Sequence, residues 1–181
     1  MLRPFISHTS LKEKGIIFNQ KPLLSDKAFL AFLLNKKINE LERIELVTYL
    51  SKKFDFKVYG DENWKNVQGN RLTYMGTAEH FIEMPKVFRL SKINVNLIRI
   101  YVDSGLPMRV FDVLGSQGFL VTNEKRDITK YFKDGHDLVI YRDLQDLGEV
   151  TEYYLHHEKE RDDIVVNGYE RVRNEHTYEI R

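Results

Sequence analysis

The chain has 181 residues, 42% of them hydrophobic, and a formal charge of +1 at pH 7; that fits one domain, or one and a helical extension, and supplies no global field to draw nucleic acid or an acidic membrane. It contains no cysteine, which excludes disulfides, thiolate catalysis and thiolate metal sites. Its longest apolar run, residues 28–34, is far too short to span a bilayer, and the N-terminus lacks a secretory pattern, so a cytoplasmic protein is expected.

Residues 1–24 show no clear period and are broken by Pro4 and Pro22, with residues 16–18 a candidate strand. Ser25 and Asp26 offer capping oxygens to a helix over residues 28–35. A second helix is expected over residues 39–53, where Leu41, Ile44, Leu46, Val47 and Leu50 make an apolar side and the Glu and Arg residues a wet one. The period then shortens: Phe54, Phe56, Val58 and Tyr59 form a strand ending at Gly60-Asp61, and residues 71–75 another, ending at Gly76.

A helix from Met84 places Pro85 in its first turn, where the missing N–H costs nothing. Strands over residues 93–98, 119–121 and 138–141 alternate with helices over 109–114, within 123–133, after Asp143 and over 158–172. Short apolar strands alternating with helices predict an α/β fold, a parallel sheet covered on both faces. Ligands of such sheets bind beyond the carboxyl ends of the strands.

Residues Asp103–Arg109 lie at such an end, as do Gly60-Asp61 and Gly76-Thr77. Ser104, Gly105 and Pro107 make a turn that runs through Leu106 into a short amphipathic helix, and Gly115 and Gly118 close it. A turn feeding a helix N-terminus presents free backbone N–H groups and the positive end of the helix dipole. Arg109 adds a forked cation in the first turn, next to Met108, and Asp112 shares its helical face. Phosphate and sugar hydroxyls are the matching ligand groups; an ordinary helix cap beside a solvated ion pair accounts for the same pattern. Gly76, His80, Lys86 and Trp64 are further cleft candidates, Trp64 either stacking on a base or packing at the rim. Lys92 reads as structural. His156-His157-Glu158 lacks a histidine at position 161 and so fails as a zinc motif. The charge runs 12–14 and 158–163 read as solvated faces, and the pairs Tyr131-Phe132 and Tyr153-Tyr154 as core or cover.

Three stretches in order, Glu83-Met84-Pro85-Lys86-Val87-Phe88, Ser91-Lys92-Ile93-Asn94-Val95-Asn96-Leu97 and Ser104-Gly105-Leu106-Pro107-Met108-Arg109-Val110-Phe111-Asp112-Val113-Leu114, resemble the C-terminal domain of CgeB-type spore maturation proteins, which belong with the group 1 glycosyltransferases. Phe119-Leu120-Val121-Thr122-Asn123, Asp134-Gly135, Val139-Ile140-Tyr141 and His176-Thr177-Tyr178 continue the order, and Glu42-Arg43-Ile44-Glu45-Leu46 and Val58-Tyr59-Gly60 match what precedes it. The resemblance covers roughly residues 40–181. It departs at Gln117-Gly118, where relatives carry a glycine pair, and at Asp103, offset by one from the usual acidic residue.

The resemblance implies the GT-B architecture, two Rossmann-like domains facing across a cleft, of which residues 39–181 are the nucleotide-sugar half and residues 1–38 an N-terminal, partly helical extension. It implies that Ser104, Gly105, Leu106, Pro107, Met108 and Arg109 approach the diphosphate and sugar, and that Asp112 holds the ribose. No metal or other cofactor is expected. The partners implied are a nucleotide-sugar donor, an acceptor that is a glycan, protein or small molecule, and a missing N-terminal acceptor domain, with no nucleic acid and no membrane span. The chain is therefore expected to be a fragment, inactive alone. Two alternatives stand beside it: a non-catalytic binding or assembly module of a spore or surface-polymer system, and another GT-B chemistry such as epimerisation of a nucleotide sugar.

Overall fold

The computed structural model describes residues 26–102 and 104–177. The expected strand at 16–18, the cap at Ser25, the charge run 12–14, Asp103 and Tyr178 lie outside them. The chain divides into two compact units, residues 1–42 and 43–181.

In the first unit the described residues belong to helix α1 (Asp26–Ser51), which continues into the second. The two helices expected here are one, because Lys36, Lys37 and Ile38 include neither glycine nor proline to stop propagation. Within the unit the Asn39 side-chain amide donates to the Asn35 carbonyl at 2.7 Å.

Among the described residues, the second unit is built on five short parallel strands. Strands β1 (Phe56–Val58) and β2 (Leu72–Tyr74) form one sheet, with Phe56 opposite Leu72. Strands β3 (Asn94–Asn96), β4 (Leu120–Asn123) and β5 (Val139–Tyr141) form the other, in that order, with Asn94 opposite Leu120 and Val121 opposite Val139. Successive residues of a strand point to opposite faces. On β4, Leu120 therefore joins a core with Phe88, Val110, Val113 and Ile128, while Val121 joins the opposite core with Leu46, Leu50, Val139 and Leu147. That two-sided burial explains why the strands read as apolar runs rather than alternating ones.

Helices α2 (Met84–Leu90), α3 (Met108–Gly115), α4 (Ile128–Tyr131), α5 (Leu144–His156) and α6 (Glu158–Glu175) alternate with the strands or follow them. Pro85 sits in the first turn of α2. The Asp143 carboxylate accepts the Asp146 N–H at 2.9 Å and caps α5. The end of α3 differs from expectation: the left-handed residue is Gln117, with φ 57°, and not Gly118. Gln117 also accepts a hydrogen bond from Arg89. Gly118 is needed for space instead, since a Cβ there would stand 2.8 Å from the Phe88 carbonyl oxygen.

Candidate functional site

Helix α3 turns one side to the core and the other to the carboxyl edge of the sheet. Val110, Val113 and Leu114 are buried, and Met108 is exposed. Pro107 ends the preceding turn in an extended conformation and offers no side-chain cap. The Val110 amide bonds back to the Pro107 carbonyl at 3.1 Å. The Met108 and Arg109 amides have no acceptor among the described residues, so the positive end of the helix carries two open donors.

Arg109 and Asp112 share a face, but they do not pair. The Arg109 guanidinium lies over the Phe88 ring, 5.1 Å from its centroid, and its Nη1 is buried without a hydrogen-bond partner. Asp112 is half-buried, and its carboxylate has no partner among the described residues. The solvated ion pair offered as the simpler account of this spacing is absent. What remains is a donor fork and an acceptor carboxylate, both unspent.

Two further arginines belong here that the pattern of the sequence did not single out. Arg99, in the loop after β3, donates to the Tyr101 hydroxyl at 2.5 Å. Arg43 stands on α1, on what had been read as the wet side of that helix. Partial burial pushes its pKa below the usual arginine value, and the charges of Arg99 and Arg109 push it the same way, against the opposing effect of Tyr101. None of the three arginines has a carboxylate partner among the described residues. Like charges drawn together without a counter-ion cost stability unless an anion completes them. Arg99 carried a signal, a cation directly beyond a strand end. Arg43 carried none, because only the fold brings α1 to the other two.

The turn before α3 is fastened at one point. Gly105 has φ 84°, the left-handed region that glycine adopts without strain, and its N–H donates to Asp127 Oδ2 at 2.6 Å. The other carboxylate oxygen takes Lys130 Nζ at 2.6 Å. Lys130 and the Gly105 amide hold Asp127 below the ordinary carboxylate range, and Asp127 holds Lys130 above the ordinary lysine value. Leu106 packs on the core beneath α3, while Ser104 is exposed. On this side of the fold a cleft of 620 Å³ is lined by Val102, Glu124, Lys125, Arg126 and Thr129.

The remaining candidates fall around the β1–β2 end. The Gly76 carbonyl accepts the Gly60 N–H at 2.9 Å and closes the two strands. His80 is exposed, its ring edge-on to Phe81 with centroids 4.9 Å apart. Lys86 and Lys92 are exposed. Trp64 lies in a short 3-10 turn (Glu62–Asn66), half-buried against the core, with its indole so near Gly60 that a Cβ there would be 2.7 Å away. His157 closes the α5–α6 junction, its Nδ1 2.7 Å from the Tyr153 carbonyl oxygen. Of the aromatic pairs, Phe132 is buried and Tyr154 half-buried, while Tyr131 and Tyr153 stay exposed. Among the described residues no helix is long and apolar enough to cross a membrane.

Residues 39–181 match a family model described as glycosyl transferase-like. No curated protein matches the chain. Among solved structures, the C-terminal domain of LpcC, a glycosyl transferase group 1 family protein from Francisella tularensis, is similar with a TM-score of 0.58 at 15% identity, over 76% of this chain and 78% of that one. TarM is similar with a TM-score of 0.60 at 14% identity, over 80% of this chain but 30% of its own. These likenesses give the fold: parallel strands with helices on both faces, in the Rossmann-like manner of a GT-B C-terminal domain.

Proposed function

The chain belongs to the glycosyl transferase-like family, and from that premise we propose that residues 43–181 bind the nucleoside-diphosphate sugar of a GT-B glycosyltransferase. The observation that carries this reading is the helix N-terminus with two open amides and Arg109 in its first turn, supported by the charges of Arg99 and Arg109 acting on Arg43, with no carboxylate partner for any of the three among the described residues. A diphosphate has the charge to neutralise the arginines and the oxygens to accept both amides. In this reading Ser104, Gly105, Leu106 and Pro107 form the wall along the diphosphate and sugar, Met108 and Arg109 donate to it, and Asp112 accepts from the ribose hydroxyls. As the sugar passes to an acceptor hydroxyl, negative charge grows on the departing diphosphate, where fixed donors stabilise it most. No metal is needed for that role.

The acceptor side would come from elsewhere. Beyond the carboxyl ends of the strands Phe81 is exposed by 82%, Ile82 by 64%, Met108 by 62% and Ile100 by 51%, a rim with apolar surface to offer an opposed domain. The chain spans 30% of TarM's length, in keeping with one part of a larger enzyme. Within the family, we read the order of motifs from Glu83 to Tyr178 as support for a CgeB-type relationship. The same rim favours the second reading, a non-catalytic module that docks in a larger assembly.

Calorimetric titration with UDP, GDP and their sugars tests the proposal. Binding of one nucleoside diphosphate is expected, weakened by Arg109→Ala and Asp112→Ala, and without turnover by this chain alone. Indifference to every nucleotide at millimolar concentration would reject donor binding in favour of the docking module. Robust sugar transfer by the isolated chain would refute the expectation that an acceptor half is missing.

A further inference from the structure

We propose that Asp127 is a positioning residue for ligand binding: by accepting the Gly105 N–H it fixes the turn that presents the Met108 and Arg109 amides. This rests on the donor-binding reading above, and it concerns a residue 22 positions away in sequence, on a different loop. Asp127 occupies the N-cap position of α4 but makes no capping hydrogen bond to that helix. An aspartate there ordinarily accepts an amide of its own first turn. Here the carboxylate instead reaches the turn before α3, although it is buried.

That contact is the one polar attachment of residues 104–106 among the described residues; the other anchor is Leu106, packed on the core. Gly105 is exposed, and a Cβ built on it would meet nothing within 4 Å, so no neighbouring wall confines it. A glycine is also the residue with most backbone freedom to lose. A charge-assisted hydrogen bond from its own N–H to a buried carboxylate, itself braced by Lys130, is then what keeps this glycine in one conformation. Without it the turn samples others, and a ligand that needs the ordered form binds more weakly. The carboxylate does not touch the ligand in this scheme.

The test compares wild type, Asp127→Ala, Asp127→Asn and Lys130→Ala by calorimetry with whichever of UDP or GDP wild type binds, together with amide hydrogen exchange at Gly105. Asp127→Ala is expected to weaken binding about tenfold and to speed exchange at Gly105, the loss of one hydrogen bond to a charged group. Asp127→Asn keeps an acceptor for the amide and is expected to recover most of both. Lys130→Ala leaves the Gly105 contact in place and is expected to stay within about threefold of wild type. Unchanged affinity in Asp127→Ala, with wild type binding normally, overturns the inference alone. Tighter binding in Asp127→Ala overturns it too, since the carboxylate would then be a competing anion. Failure of wild type to bind either nucleotide removes the donor-binding reading and this one with it.

Discussion

The loops after β3 and β4 leave the same edge of the same sheet, yet they handle charge in opposite ways. In the β4 loop the carboxylate of Asp127 meets Lys130 at 2.6 Å and a backbone amide at 2.6 Å. In and after the β3 loop, Arg99 and Arg109 have no carboxylate partner among the described residues, and their charges act on Arg43 of α1. The first arrangement is complete in itself and holds a conformation. The second is not, and in the donor-binding proposal a ligand anion completes it.

The largest effect that tests this contrast is on affinity. Arg109→Ala is expected to cost about 1.5–3 kcal/mol of nucleoside-diphosphate binding, the range of a hydrogen bond to a charged group, because its Nη1 is buried and unpartnered before the ligand arrives. Arg99→Ala and Arg43→Ala should cost less, since neither leaves a buried, unpartnered nitrogen as Arg109 does. Thermal unfolding should move little in all three, because relief of mutual repulsion offsets what packing is lost. Equal affinity in wild type and Arg109→Ala, measured by calorimetry, would erase the distinction between the loops.

Next in size is the backbone of the turn. Gly105→Ala forces a Cβ into the left-handed region at φ 84°, at a cost of about 1–2 kcal/mol. The space around it is open, so the cost is conformational and not steric. Denaturant unfolding should show that loss at Gly105 and less than about 0.5 kcal/mol at Lys130→Ala, an exposed partner of an otherwise retained contact. A Gly105→Ala protein as stable as wild type would mean that the turn is not held in the conformation described.

Much of the fold was legible because its cues are local. The strand at Val139 is an apolar run, Asp143 is a cap three residues before the amide that it takes, and Pro85 sits where a helix tolerates proline. The helix–turn at residues 104–112 was legible for the same reason. Arg43 and Asp127 were not, because each acts on a partner far along the chain: α1 must be laid against the sheet before Arg43 reaches Arg99, and the β4 loop must be folded before Asp127 reaches Gly105. The ion pair Arg109–Asp112 erred the other way. Helical spacing allowed it, but the ring of Phe88, supplied by α2, took the guanidinium. Gln117 in the left-handed region is a similar case, where closure of α3 overrides residue preference.

The smallest effect separates the two loops by pH. Asp127 titrates below its ordinary value of 3.8, chiefly through Lys130 and then the Gly105 amide. A depressed carboxyl stabilises the fold fully above the unfolded value, and that share is lost as pH falls through the lower, folded value. Lys130 titrates above its ordinary 10.5 because of Asp127. Its share is full below that value and is lost only as pH rises past the folded one. Between the two limits the tether contributes a constant amount, and the arginine loop carries charge that does not titrate there. The stability difference between wild type and Asp127→Asn, followed by denaturant unfolding, should therefore be level from about pH 5 to pH 9 and shrink below about pH 4. A difference that instead changed near neutral pH would mean that a histidine, not the Asp127–Lys130 pair, governs the β4 loop.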